Sequence, residues 1–326
     1  MKNGKPTILV TRSLPREVEN IMDDLFDSRF NVNDVPMTAE EIVKSADEVD
    51  ALVPTVTDNL NAHLISQLPN SVKLIANFGV GINHIDIAYA NSLGIVVTNT
   101  PDVLTEDTAD LTVALLLAAP RRIVEGDRMI RSGNWEGWSP TSMVGHRVSG
   151  KKLGIIGMGR IGQAVARRAL GFRMEINYHN RSKLPINLEQ SLHATYWRQL
   201  DDMLPQMDFI SINCPLTDET RYLINEERLE RLRPNAFIIN TARGEIIDER
   251  VLARHLSLKT LSGAALDVYE REPTLERVLL NLDNVVLSPH LGSATREGRA
   301  DMGKKVITNL QSFFANKVPE NIVVYS

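Results

Sequence analysis

The stretch that most constrains this chain runs from Lys152 to Arg168, KLGIIGMGRIGQAVARR. Leu153 to Ile156 is a short apolar run of the kind that forms a buried strand, and Gly157, Gly159 and Gly162 follow it in G-x-G-x-x-G spacing. Ile161, Ala164, Val165 and Ala169 then fall on one face of a helix. In such a turn the first glycine permits the tight bend, the second lets a pyrophosphate approach the backbone, and the third lets the helix pack close to the strand. The helix N-terminus faces the phosphates with unpaired N–H groups and its positive dipole end. The spacing alone is weak evidence. With a strand before it and a helix after it, the motif predicts a dinucleotide site.

A chain of 326 residues exceeds what one hydrophobic core usually supports, so two domains are expected. The 36 Lys and Arg against 41 Asp and Glu leave a net charge of -5, which argues against nucleic acid or an anionic membrane as partner. Cys214 is the single cysteine; it allows no intrachain disulfide and no zinc cluster, and no metal is expected. Met1 to Pro6 is polar and has no apolar signal-peptide region. The longest apolar run, Val113 to Ala119, falls far short of the roughly 20 residues that a membrane span needs. These features point to a cytoplasmic protein.

Strand-like runs at Thr7 to Val10, Ala51 to Val53, Leu74 to Asn77 and Ile95 to Thr98 alternate with helical stretches, which predicts a small doubly wound parallel-sheet domain ending near Thr100. Gly79 and Gly81 flank Val80 in the loop after its fourth strand, where open α/β sheets bind ligands. Thr100-Pro101-Asp102 marks a boundary, and one long apolar helix is expected from Thr105 to Arg131. Gly133 to Val148 holds two tryptophans without periodicity and reads as a long loop, either a subunit contact or a packed surface arm. Beyond the glycine turn, strands at Glu175 to Tyr178, Phe209 to Ile212, Ala236 to Asn240, Gly263 to Leu266 and Val285 to Leu287 bring the second sheet to six. A final helix from Thr295 to Ala315 either caps the second domain or crosses back to the first.

The combination of NFGVGINHID (Asn77 to Asp86), TNTPDVLTEDTADL (Thr98 to Leu111), GIIGMGRIGQAVARRALGF (Gly154 to Phe172), NTARGEIID (Asn240 to Asp248), ALDVYEREP (Ala265 to Pro273) and SPHLGSAT (Ser288 to Thr295) resembles the D-isomer-specific 2-hydroxyacid dehydrogenases, above all their glyoxylate/hydroxypyruvate reductase branch. The resemblance spans nearly the whole chain. It implies two doubly wound α/β domains: a flavodoxin-like substrate domain of residues 1–100 with 292–326, and a Rossmann dinucleotide-binding domain of residues 101–291 inserted in it. It also implies hinges near Pro101 and Gly292, closure that keeps water from the site, and a homodimer.

Hydride reduction of a 2-oxo acid requires a cation for the carboxylate, a proton donor for the developing alkoxide, and a nicotinamide presented to the carbonyl carbon. Arg243 fits the first need through its planar fork. His290 fits the second, because a histidine's ordinary pKa of about 6.5 allows proton donation near neutrality. Glu272 fits as the partner that favours the imidazolium. These three match the family's catalytic Arg, Glu and His. The resemblance further places the backbone N–H groups of Val80 and Gly81, with Arg243 and His290, against the substrate. Around the cofactor it places Thr108, Gly157, Gly159, Arg160, Ile161, Gly162, Asn180, Arg181, Ser182, Lys183, Pro215, Thr220, Thr241, Ala242, Asp267 and Gly292, with Asp267 accepting from the nicotinamide carboxamide.

An NAD-specific site carries an acid about 20 residues after the glycines. Here the strand ends in His179-Asn180-Arg181-Ser182-Lys183, with no acid before Glu189, and Arg181, Ser182 and Lys183 suit a 2′-phosphate. NADPH is therefore expected over NADH, which stays possible. Formate dehydrogenase is disfavoured by Glu272, where that branch carries glutamine, and by the missing extra N-terminal segment. Phosphoglycerate dehydrogenase is disfavoured because no regulatory domain follows Ser326. Larger 2-oxo acids such as arylpyruvates stay open, as does a non-catalytic, nucleotide-sensing dimeric scaffold.

Overall fold

A computed structural model describes residues 4–324, so the part of the polar stretch before Gly4 lies outside the described residues. The chain divides into two compact α/β units, residues 1–104 with 294–326 and residues 105–293.

The first unit is built on five parallel strands, β1 (Thr7–Val10), β2 (Asp27–Phe30), β3 (Ala51–Val53), β4 (Leu74–Ala76) and β5 (Val96–Thr98), in the order β2-β1-β3-β4-β5. That is the flavodoxin-like order. The central strands are apolar on both faces because helices cover both. One layer gathers Leu9, Leu52, Ile75 and Val97 with the helices Ala39–Ser45, Ala62–Ser66 and Ile87–Ser92. The other gathers Ile8, Val10, Val53 and Ala76 with Val18 and Met22 of the helix Arg16–Leu25 and with Met302, Val306 and Leu310 of the helix Arg296–Phe314. Those two helices meet closely: a Cβ on Gly303 would lie 2.4 Å from a Val18 methyl. Of the two courses left open for the last helix, the chain takes packing on the first sheet.

The second unit holds seven parallel strands, β6 (Lys152–Ile156), β7 (Glu175–His179), β8 (Ala194–Tyr196), β9 (Phe209–Ile212), β10 (Phe237–Asn240), β11 (Gly263–Leu266) and β12 (Val285–Leu287). Their order, β12-β11-β10-β9-β6-β7-β8, is the Rossmann arrangement extended by one strand. The expected six become seven because β8, a half-exposed edge of three residues, shows no apolar period. β2 escaped for the same reason, since DSRF is polar and joins its sheet only through β1.

The helix expected from Thr105 to Arg131 is in fact two, Thr105–Ala118 and Ile123–Arg131. Pro120 interrupts it, having no N–H to donate, and Arg122 turns the chain with a left-handed φ of 53°. The carbonyl of Pro120 then receives the N–H of His146 at 2.8 Å, which ties down the far end of the 133–148 loop. Within that loop Trp135 and Trp138 are exposed, at 57% and 83%. No helix among the described residues is long and apolar enough to cross a membrane.

Candidate active site

The glycine turn shows why each glycine is needed. Gly157, at φ +92°, leaves no room for a side chain: a Cβ would sit 2.5 Å from the backbone nitrogen of Cys214. Gly162, on the helix Arg160–Gly171, would press a Cβ to 2.2 Å from the Gly157 carbonyl, so its absence sets the helix against the strand. Gly159, the helix N-cap, faces open space. That is the cradle a diphosphate requires: bare backbone at a helix N-terminus, with Arg160 and Ile161 opening the first turn. Ala164, Val165 and Ala169 bury the helix face as expected, with Ile161 half-buried.

The ribose end of a dinucleotide would meet the residues after β7. Arg181 and Ser182 are exposed there, and Asn180 closes the turn by donating to the Ser182 carbonyl at 3.0 Å. Lys183 is engaged elsewhere: its Nζ pairs with Glu189 at 3.1 Å, and the buried Glu189 also accepts from the Tyr178 hydroxyl at 2.7 Å. The basic cluster is thus reduced to Arg181 and Ser182 as groups turned outward. Across the next loop Thr220 Oγ1 donates to the Pro215 carbonyl at 2.7 Å, fixing that turn. Cys214, beside Gly157, is inert as a nucleophile because burial pushes its thiol up to about 11.

His290 follows β12 with a left-handed φ of 55°. Asp267, fully buried at the end of β11, holds that bend: its carboxylate accepts from Ser288 Oγ (2.5 Å), Leu291 N (2.7 Å) and Gly292 N (2.9 Å), while its carbonyl takes the His290 N–H. Asp267 is therefore committed first to shaping the histidine loop, a role the motif alone did not disclose. Thr108 Oγ1 donates to the Gly292 carbonyl at 2.9 Å, and Thr112 and Thr241 share a buried hydroxyl contact of 2.7 Å.

His290 Nδ1 lies 2.7 Å from Glu272 Oε2, with each side chain about one third exposed. Burial raises the Glu272 carboxyl, but the hydrogen bond and charge of His290, the Tyr269 N–H and the Arg243 charge outweigh it, so Glu272 sits below the usual glutamate range. The Glu272 loop is itself held by Glu249, which accepts from Glu270 N (2.9 Å) and Glu276 N (2.5 Å). Arg243 leaves β10 half-buried, and burial pulls its guanidinium down against the opposing charges of Glu272 and Glu245. Its Nη1 donates to the Ala242 carbonyl at 2.6 Å. The next residue, Gly244, packs so tightly on the Tyr269–Glu270 backbone that any Cβ would collide with it. Arginine, glutamate and histidine from three separate loops thus converge at the C-terminal ends of β10, β11 and β12, where open α/β sheets bind ligands. Val80 and Gly81 belong to the first unit, in the loop after β4. No group of three or more His, Cys, Asp or Glu among the described residues could hold a metal.

This arrangement matches a known family. The model of the D-isomer specific 2-hydroxyacid dehydrogenase NAD binding domain fits residues 113–292. The chain is also 41% identical to the glyoxylate reductase of Pyrococcus furiosus, over 98% of this chain and 95% of that one. The chain belongs to the D-isomer-specific 2-hydroxyacid dehydrogenases. Within that family the glyoxylate reductase of Aeropyrum pernix is 43% identical, over 98% of this chain and 96% of the relative. The crystal structure of a glyoxylate reductase from Paecilomyes thermophila superposes with a TM-score of 0.86 at 35% identity, covering 98% of each chain. That of the NADPH-dependent glyoxylate/hydroxypyruvate reductase of Sinorhizobium meliloti, in complex with NADP and malonate, gives 0.87 at 33% identity, covering 98% of this chain and 97% of that one. This 2-hydroxyacid dehydrogenase is accordingly an oxidoreductase with a nicotinamide cofactor.

Proposed function

We propose that this dehydrogenase reduces a small 2-oxo acid, glyoxylate or hydroxypyruvate, to the 2-hydroxy acid, of D configuration where the product is chiral. The carrying observation is the 2.7 Å contact between His290 Nδ1 and Glu272 Oε2. It orients the ring and assigns Nε2 as the atom that delivers the proton to the developing alkoxide. Glu272, ionised at neutral pH, favours the charged imidazole that must donate. Arg243 holds the substrate carboxylate and keeps its charge at any working pH. A nicotinamide cofactor, its diphosphate held at the glycine turn, would supply the hydride. The named activities of the glyoxylate reductases support the substrate class.

NADPH is the preferred cofactor in this reading. Arg181 and Ser182 favour a 2′-phosphate, and Arg181 also acts electrostatically on Glu219. The NADPH-dependent Sinorhizobium meliloti relative supports the same reading. The protein works in the cytoplasm as a homodimer, the second copy covering Trp135, Trp138 and Val144 with Ile123 and Ile130, all exposed on this chain.

The test is oxidation of NADPH and of NADH in the presence of glyoxylate, hydroxypyruvate, pyruvate and phenylpyruvate, repeated with Arg181→Ala. The expected result is turnover of the two smallest substrates with NADPH favoured, and an Arg181→Ala enzyme whose kcat/KM with NADPH falls by about tenfold or more while that with NADH holds. No turnover with any of the four acids would leave the nucleotide-sensing scaffold as the better reading.

A further inference from the structure

The loop after β4 carries an arrangement that the family motifs do not explain. Asn77, 1% exposed, donates through Nδ2 to the carbonyls of Gly79 and Gly81, both at 3.0 Å, while its Oδ1 faces His84 Nε2 at 3.1 Å. The Gly79 carbonyl also takes the Thr100 N–H at 3.1 Å. Asn99 Nδ2 donates to the carbonyl between them, that of Val80, at 3.0 Å. Three consecutive carbonyls are therefore gripped by side-chain amides. Because N–H and C=O point opposite ways across a trans peptide, the N–H groups of Val80, Gly81 and Ile82 are turned away from the grip. No acceptor among the described residues takes any of the three. N–H groups left without an acceptor and held in this way are open to a bound anion.

The grip does not end at Asn99. The Asn99 carbonyl accepts from Asn309 Nδ2 at 3.1 Å, Asn309 Oδ1 accepts from Asn321 Nδ2 at 3.0 Å, and the Asn99 N–H returns to the Asn321 carbonyl at 3.2 Å. Asn309 is buried on the helix Arg296–Phe314. The segment around Asn321 is fastened along β5 by a bridge from Ile322 to Thr98 and by the Val323 N–H on the Val97 carbonyl at 2.8 Å.

We propose that Asn77 and Asn99 are positioning residues for the substrate carboxylate, and that Asn309 and Asn321 brace them from the C-terminal segment. The proposal rests on the reductase reading and adds to it the device that aims the N–H groups. Asparagine is required chemically. One amide nitrogen carries two donors and so reaches two carbonyls, whereas an aspartate would set a negative oxygen against a carbonyl oxygen. With the grip broken, the peptides of residues 79–81 turn more freely, and the carboxylate loses pre-aimed donors.

The experiment measures kcat and KM for glyoxylate, inhibition by oxamate, the Kd for NADPH by fluorescence, and Tm, in wild type, Asn99→Ala, Asn99→Asp and Asn321→Ala. In Asn99→Ala and Asn99→Asp, KM for glyoxylate and Ki for oxamate should rise together by about tenfold or more, with kcat changing less than about threefold and the NADPH Kd unchanged. Asn321→Ala should give a smaller rise of the same kind. Should Asn99→Ala fail to fold, the nearly isosteric Asn99→Asp decides, and should that also fail, Asn321→Ala decides. Variants in which Tm falls but KM and Ki stay within about twofold of wild type would reduce the amides to plain structural bonds and overturn the proposal. A wild type with no turnover of any 2-oxo acid would instead bring down the reductase reading, and the proposal with it.

Discussion

His290 is the proposed proton donor, and its surroundings define two measurements. Removing the donor leaves Arg243 and the glycine turn in place, so His290→Ala should lower kcat by roughly 10² to 10⁴-fold while the cofactor Kd, read by nicotinamide fluorescence, holds. Glu272 is depressed in the folded protein, mainly because the His290 interactions overcome its burial. A depressed carboxyl contributes stability that is fully present above the ordinary glutamate value of about 4.3 and is lost as pH falls through the lower folded value. The Tm difference between wild type and Glu272→Gln should therefore shrink as pH falls from 5 toward 3. The variant should also lose kcat, since no carboxylate then fixes the ring through His290 Nδ1. An unchanged kcat in the variant would detach Glu272 from the proton transfer. His290 and Glu272 were nameable as candidates from the sequence because each sits in a distinctive motif. The commitment of Asp267 to Ser288, Leu291 and Gly292 was not, because those partners lie more than 20 residues away and only the adjacency of β11 and β12 brings them together.

At the scale of the element, the strand–turn–helix at β6 separates two kinds of glycine. Gly157 is bound by left-handed backbone and by the Cys214 nitrogen, so Gly157→Ala should destabilise the protein by about 1–3 kcal/mol or more, read as a drop in Tm. Gly159 meets no neighbour, so Gly159→Ala should fold with nearly unchanged Tm and yet bind cofactor about tenfold or more weakly, since its Cβ would stand where a phosphate approaches. Equal losses of stability in the two variants would contradict this division. After β7 the basic cluster is reduced: Lys183 looked available from the sequence, but Glu189, on the short helix Ile186–Ser191 that follows, pairs with it. The Pro120 break was legible in principle, since proline rarely continues a helix, but the apolar run on its N-terminal side masked it.

At the scale of the whole molecule, Trp135 and Trp138 form an exposed apolar arm, which the proposed homodimer would cover. Trp135→Ala with Trp138→Ala should shift the protein from dimer toward monomer by light scattering, each truncation costing about 2 kcal/mol if it is an anchor of the interface. A wild type already monomeric at micromolar concentration would remove that expectation. By itself the sequence determined the central strands of both sheets, the glycine turn and the three catalytic candidates. These are written in local apolar runs and in compact motifs, which a linear reading can see. Only the tertiary structure decided the edge strands β2 and β8, the engagement of Lys183 by Glu189, and the asparagine grip on the carbonyls of residues 79–81. Each of these depends on hydrogen bonds or ion pairs to partners whose nearness is set by how the chain packs, and no periodicity along the chain records that nearness.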